Sequence, residues 1–165
     1  MRLSTRGRYA VMAMVEMAAR EKPGEDCAAA RPVTLNEIAT AQHLSVAYLE
    51  QLFGRLRRAG LLASARGPGG GYRLARPAAQ IAIAEVVDAA EETIVATRCE
   101  EGGPGCLAGE RCLTHDLWAE LGDQIRIFLR GMTLADVVEG KVLGRASPPA
   151  EASAVRPPGQ AAAAQ

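Results

Sequence analysis

No apolar run in this 165-residue chain approaches the roughly 20 residues that a membrane-spanning helix needs, so no membrane role is expected. The stretch from Ala10 to Ala19 comes nearest. Glu16 interrupts it, and Val11, Met14, Met17 and Ala18 recur at helical spacing, which reads as a core helix rather than a secretion signal. Lacking a signal, the chain is expected in the cytoplasm, where thiols stay reduced and clustered cysteines bind metal or do redox chemistry. A pairing of nucleophile with base is missing too, as is any general-acid constellation, so the chain is not expected to be an enzyme. Internal repeats are absent.

Net charge is also lacking, with 19 Lys and Arg against 19 Asp and Glu, but the balance conceals an asymmetry. Residues 1–76 carry 12 basic and 6 acidic side chains, while residues 77–165 carry 7 and 13. A polyanion-binding half joined to an acidic half suits a nucleic-acid regulator. The length allows one domain of ordinary size with one core and a short appendage.

The local signals give that basic half a shape. An amphipathic helix is predicted over residues 7–20, followed by a loop from Glu21 to Asp26 and an alanine-rich stretch to Pro32. Thr34-Leu35-Asn36-Glu37 is a capping box that opens a short helix through Ala41. His43-Leu44 makes a turn, and Ser45 caps a second helix whose Val46, Leu49, Phe53 and Leu56 share one face. Gly60 ends it. Off the apolar face lie Tyr48, Glu50, Gln51, Arg55, Arg57 and Arg58. Two short helices about a tight turn form a helix-turn-helix. Leu61 to Arg66 and Tyr72 to Ala75 then read as strands joined by Gly67-Pro68-Gly69-Gly70-Gly71, with Arg66 and Arg73 flanking the tip.

The fold expected is therefore mainly α with a small β-hairpin wing, a winged helix-turn-helix over residues 1–76. The glycine-rich turn is not a phosphate loop, since no lysine and no strand–loop–helix context accompany it. Positive φ in a wing turn accounts for its glycines. Gln51 and Glu50 are the side chains suited to base edges, Gln to adenine and Glu to cytosine. Glu50 also repels phosphate, which discourages wrong sites. Arg57 and Arg58 suit a solvated face or, on a recognition helix, DNA contact. Tyr48, Arg66 and Arg73 complete the expected contacts to a double-stranded operator.

Residues 77–143 carry different chemistry. A short helix is predicted from Ile83 to Ala90, and a longer one from near Leu113 to residue 130 bears Leu117, Leu121, Ile125 and Phe128, with Trp118 and Leu129. Its broad apolar stripe can close the monomer's core, or meet the same stripe of a second copy in a homodimer that sets two recognition helices on a pseudo-palindrome. Thr133 caps a last helix, Leu134 to Val138. Residues 144–165, rich in Pro, Ala and Gly, read as a disordered tail. Between the two main helices lies Cys99-x6-Cys106-x5-Cys112-x2-His115, three thiols and an imidazole within 17 residues. Such ligands hold iron–sulfur clusters and equally complete a tetrahedral zinc site. Cys27 has no partner at ligand spacing and reads as an isolated thiol. His43, in the turn, reads as structural.

Several segments carry a resemblance. Met1-Arg2-Leu3-Ser4-Thr5-Arg6-Gly7-Arg8-Tyr9-Ala10, Tyr48-Leu49-Glu50-Gln51-Leu52-Phe53 and Arg66-Gly67-Pro68-Gly69-Gly70-Gly71-Tyr72 resemble the IscR-type iron–sulfur cluster regulators, as do Thr97-Arg98-Cys99 and Cys112-Leu113-Thr114-His115-Asp116-Leu117-Trp118. That branch belongs to a family of dimeric winged-helix regulators that also holds the nitric-oxide sensor NsrR and the cluster-free repressor CymR. The resemblance spans roughly residues 1–140. It implies a 2Fe–2S cluster held by Cys99, Cys106, Cys112 and His115, with zinc or a 4Fe–4S cluster as the alternatives. It further implies a homodimer that represses cluster-assembly genes when loaded and binds a second class of sites when empty. The chain departs from the pattern in one extra residue between the first two cysteines, an insertion within 21–32 that includes Cys27, and Ala47 where a base-contacting serine often sits.

Overall fold

A computed structural model describes residues 4–21, 27, 30–90 and 112–143. Helix α1 (Thr5–Ala19) opens on Ser4, whose side chain accepts from the backbone N–H groups of Arg6 and Gly7, so the helix starts two residues earlier than predicted. Helices α2 (Leu35–Gln42) and α3 (Val46–Arg58) follow, then strands β1 (Leu62–Ala65) and β2 (Gly71–Leu74), α4 (Ile83–Ala90), α5 (His115–Arg130) and α6 (Leu134–Val138). The mainly helical architecture with one antiparallel hairpin is the one expected.

A single core joins these elements. Ala10, Met14 and Met17 of α1 are buried with Ile38 of α2, Leu49, Leu52, Phe53 and Leu56 of α3, and Val86 and Val87 of α4. Met132 and Leu134 belong to the same cluster, so side chains on both sides of Pro77 share it. α4 is fastened near its start: the Ile83 N–H donates to the Met132 carbonyl (2.8 Å) and the Leu134 N–H to the Ile81 carbonyl (3.0 Å). Glu85 adds a cap by accepting from the Ala82 N–H (2.9 Å) and from Arg76 (2.7 Å). The Arg76 hydrogen bond holds the Glu85 carboxyl below the usual carboxylate range.

The wing is more than a hairpin. β1 and β2 pair Leu62 with Leu74, Ala63 with Arg73, Ser64 with Tyr72 and Ala65 with Gly71. On the other edge of β2, Val33 and Tyr72 exchange both backbone hydrogen bonds, each 2.8 Å. Gly71 is required there, because a Cβ on it would stand 2.4 Å from the Val33 carbonyl oxygen. The Phe53 ring meets the Tyr72 ring edge-on, with centroids 5.0 Å apart, so α3 and the wing are packed together.

Candidate nucleic-acid interface and metal site

The helix-turn-helix is held by local chemistry. The Thr34 N–H donates to Glu37 Oε2 (2.8 Å), and the Glu37 N–H donates back to Thr34 Oγ1 (3.3 Å), the reciprocal capping box expected for α2. These bonds to Thr34, with a smaller contribution from Arg31, keep the Glu37 carboxyl below its ordinary range. His43 takes up the left-handed conformation (φ 53°, ψ 42°) that ends α2 and turns the chain. Ser45 Oγ then accepts from the Tyr48 N–H (3.2 Å) and starts α3.

α3 turns Leu49, Leu52, Phe53 and Leu56 inward, adding Leu52 to the predicted face and leaving Val46 half-buried at its margin. Glu50, Gln51, Arg57 and Arg58 are exposed on the outer side, while Tyr48 and Arg55 are half-buried. The Tyr48 ring stands edge-on to Tyr9 at 5.9 Å, and the Arg8 guanidinium lies 5.4 Å from the Tyr9 ring centre. The start of α1 is thereby set beside α3. A small cleft between them is lined by Arg6, Tyr48, Gln51, Leu52 and Arg55. Its Arg6 and Arg55 were not among the residues expected to contact DNA. Arg55 lies on the polar side of α3 that the sequence marks, whereas no local pattern marks Arg6, because the two helices meet only in the fold.

At the wing tip Arg66 is exposed and precedes Gly67 and Gly69, both with positive φ. Arg73 sits differently. It is half-buried in β2, and its Nε donates to the Ala30 carbonyl, so the side chain tethers the segment before α2. The structure therefore brings Tyr48, Gln51, Arg6 and Arg55 together and sets Arg66 apart at the tip.

Of the four expected metal ligands, Cys99 and Cys106 lie outside the described residues, as does the tail 144–165. Cys112 and His115 are described. His115 is the first residue of α5; its N–H donates to the Cys112 carbonyl (3.0 Å), and Cys112 Sγ lies 3.4 Å from Thr114 Oγ1. Both are half-buried. A thiol and an imidazole thus lie within four residues of each other at the start of α5. This donor pair fits an iron–sulfur or zinc centre by its chemistry. Among the described residues no group of three or more possible ligands is assembled.

α5 has no fully buried residue. Leu117 (62% exposed), Trp118 (41%), Leu121 and Phe128 leave an apolar row open, while Leu129 packs against the core. Among the described residues no helix is long and apolar enough to cross a membrane.

Comparison with known proteins agrees with this fold. The Rrf2 family, described as an iron-dependent transcriptional regulator, matches residues 3–140. The HTH-type transcriptional regulator IscR of Pectobacterium carotovorum is 49% identical over 141 residues, 86% of this chain and 81% of that protein. Among solved structures, T. potens IscR superposes with a TM-score of 0.65 at 32% identity, covering 90% of this chain and 94% of that one. CymR, the global cysteine regulator of B. subtilis, gives a TM-score of 0.68 at 31% identity, covering 85% and 98%.

Proposed function

The chain belongs to the Rrf2 family of winged-helix transcriptional regulators, and from that membership we propose a homodimeric repressor whose choice of DNA depends on an iron–sulfur cluster. It is a DNA-binding regulator and not an enzyme. The observation that carries the finer reading is the Cys112–His115 pair at the head of a helix whose apolar row is open. Cys99 and Cys106 complete a Cys3His set for a 2Fe–2S cluster. When bound, such a cluster supplies a charge and redox state that the protein can register. His115 contributes a neutral, protonatable ligand where thiolate is anionic, which favours a cluster that is readily lost and suits a sensor. The apolar row of α5 meets its copy in the dimer, and the targets are genes for cluster assembly, repressed in the loaded state.

Anaerobically purified protein is expected to be coloured and to hold iron and acid-labile sulfide in equal amounts, about two of each per chain. Cys106→Ala should abolish the colour and leave a folded dimer by circular dichroism and gel filtration, because the described core and the open row of α5 are built from other residues. A colourless wild type with one zinc per chain would instead assign a structural metal, and a Cys106→Ala chain that does not fold would show the metal to be a folding element.

On DNA, Glu50, Gln51 and Tyr48 are proposed to read base edges, with Arg57, Arg58 and Arg66 facing the backbone or a narrow minor groove, while Arg73 holds the segment before α2. Gln51→Ala should cost roughly 1–3 kcal/mol, chiefly on the preferred operator. Arg66→Ala should weaken all sequences alike and lower the salt slope by about two, roughly one for each subunit of the dimer. Fluorescence anisotropy on preferred and scrambled duplexes at several salt concentrations separates them. Equal weakening of both duplexes by Gln51→Ala would move the reading helix elsewhere.

A further inference from the structure

The three arginines that close α3 are used differently. Arg57 and Arg58 are exposed, and Arg58 Nε donates to the Gly54 carbonyl of its own helix (3.2 Å). Arg55 crosses to another helix: its Nη1 donates to the Ala90 carbonyl at 3.1 Å. Ala90 is the last described residue of α4, so the bond joins the recognition helix to the backbone of α4. The same side chain borders the cleft it shares with Gln51, Tyr48 and Arg6.

α4 is held firmly at its opposite end by the Ile83–Met132 and Leu134–Ile81 hydrogen bonds, and its Val86 and Val87 are buried. Packed side chains and rigid helices are among the elements that carry coupling between sites. From Ala90 the chain runs on toward Cys99 and Cys106.

We propose that Arg55 is a positioning residue that ties the recognition helix to α4 at Ala90, so that the state of the metal site alters how Gln51 and Tyr48 are presented to DNA. This rests on the metal-dependent reading above and names the residue through which that dependence passes. A ligand shifts an equilibrium only through a difference in its interactions with two states, and in this proposal the difference reaches the reading surface through the Arg55–Ala90 bond.

The test uses the full chain as wild type, Arg55→Ala and Arg55→Lys, each anaerobic with its metal and again after chelator stripping. Iron is quantified in parallel. Affinity is measured by anisotropy on a duplex selected from a random pool by the loaded wild type, across a salt series. The wild-type ratio of stripped to loaded Kd, about tenfold or more for coupled sites, should fall to within about twofold of one in Arg55→Ala while iron content stays at the wild-type level. Arg55→Lys, which keeps the charge and a single donor nitrogen, should give an intermediate ratio. If both affinities drop together, with the salt slope reduced by about one per subunit and the ratio intact, Arg55 only meets phosphate and the proposal is overturned. A wild type that holds iron yet binds equally in both states overturns the coupling and spares the metal reading. A wild type without iron overturns both.

Discussion

Leu121→Asp is expected to convert the protein to a monomer and to lower its affinity for a two-half-site operator by about 10²–10⁴. Leu121 sits in the middle of the open row on α5, between Leu117 and Phe128 and beside Trp118. In the proposed dimer an aspartate there would be desolvated without a partner, a cost that a contact built from one helix per subunit does not offset. In the monomer the same side chain reaches water, so the fold itself should survive. The loss on DNA follows from geometry. A dimer that has engaged one half-site presents the second intramolecularly, and a monomer must bind each half-site separately. Sedimentation and anisotropy on full and half operators measure both effects. A monomer that keeps full-site affinity would remove α5 from the reading of the operator, and an unchanged dimer would place the subunit contact elsewhere.

Phe53→Ala carries the largest expected effect on stability. The side chain is fully buried and stacks edge-on against Tyr72, so its removal opens a cavity between α3 and the wing. Truncations of this kind cost about 3–5 kcal/mol, a large share of what a domain of this size has. Thermal melts at fixed protein concentration should fall by about 2–4 °C for each kcal/mol. Phe53→Leu keeps most of the volume and should lose far less. If Phe53→Ala melted within a few degrees of wild type, the aromatic junction would not be what joins reading helix to wing.

The parts of the fold that were legible in the sequence are those fixed by neighbours along the chain. Thr34 with Glu37, Ser45 and Gly60 each announce a helix boundary because the groups that satisfy the backbone lie within four residues. Thr133 was legible for the same reason, and the structure completes its box with Asp136, whose carboxylate accepts from the Thr133 N–H. The predicted start of α1 falls two residues late because Gly7 and the arginines around it obscure the Ser4 cap. What stayed hidden is long-range. The Val33–Tyr72 pairing, the Arg73–Ala30 tether and the Arg55–Ala90 bond join residues 35 or more positions apart, with no spacing pattern to betray them. Arg73 shows the consequence: a cation beside a wing reads as a DNA contact, and only the fold shows its Nε turned toward a carbonyl.

The backbone exchange between Val33 and Tyr72 also sets how the wing breathes. A lone two-stranded hairpin is marginal in water and opens on its own. Here the amide protons of Val33 and Tyr72 can be lost to solvent only if the chain before α2 and the strand β2 part, and Gly71 and Phe53 sit against the same junction. Those two amides should therefore exchange with deuterium at the slow rate of the whole helical domain, whereas the exposed residues from Arg66 to Gly69 exchange quickly. The wing is in this sense a fast-moving tip on a slow-opening base, so the arginine at its end can adjust to a groove without unseating the helix beside it.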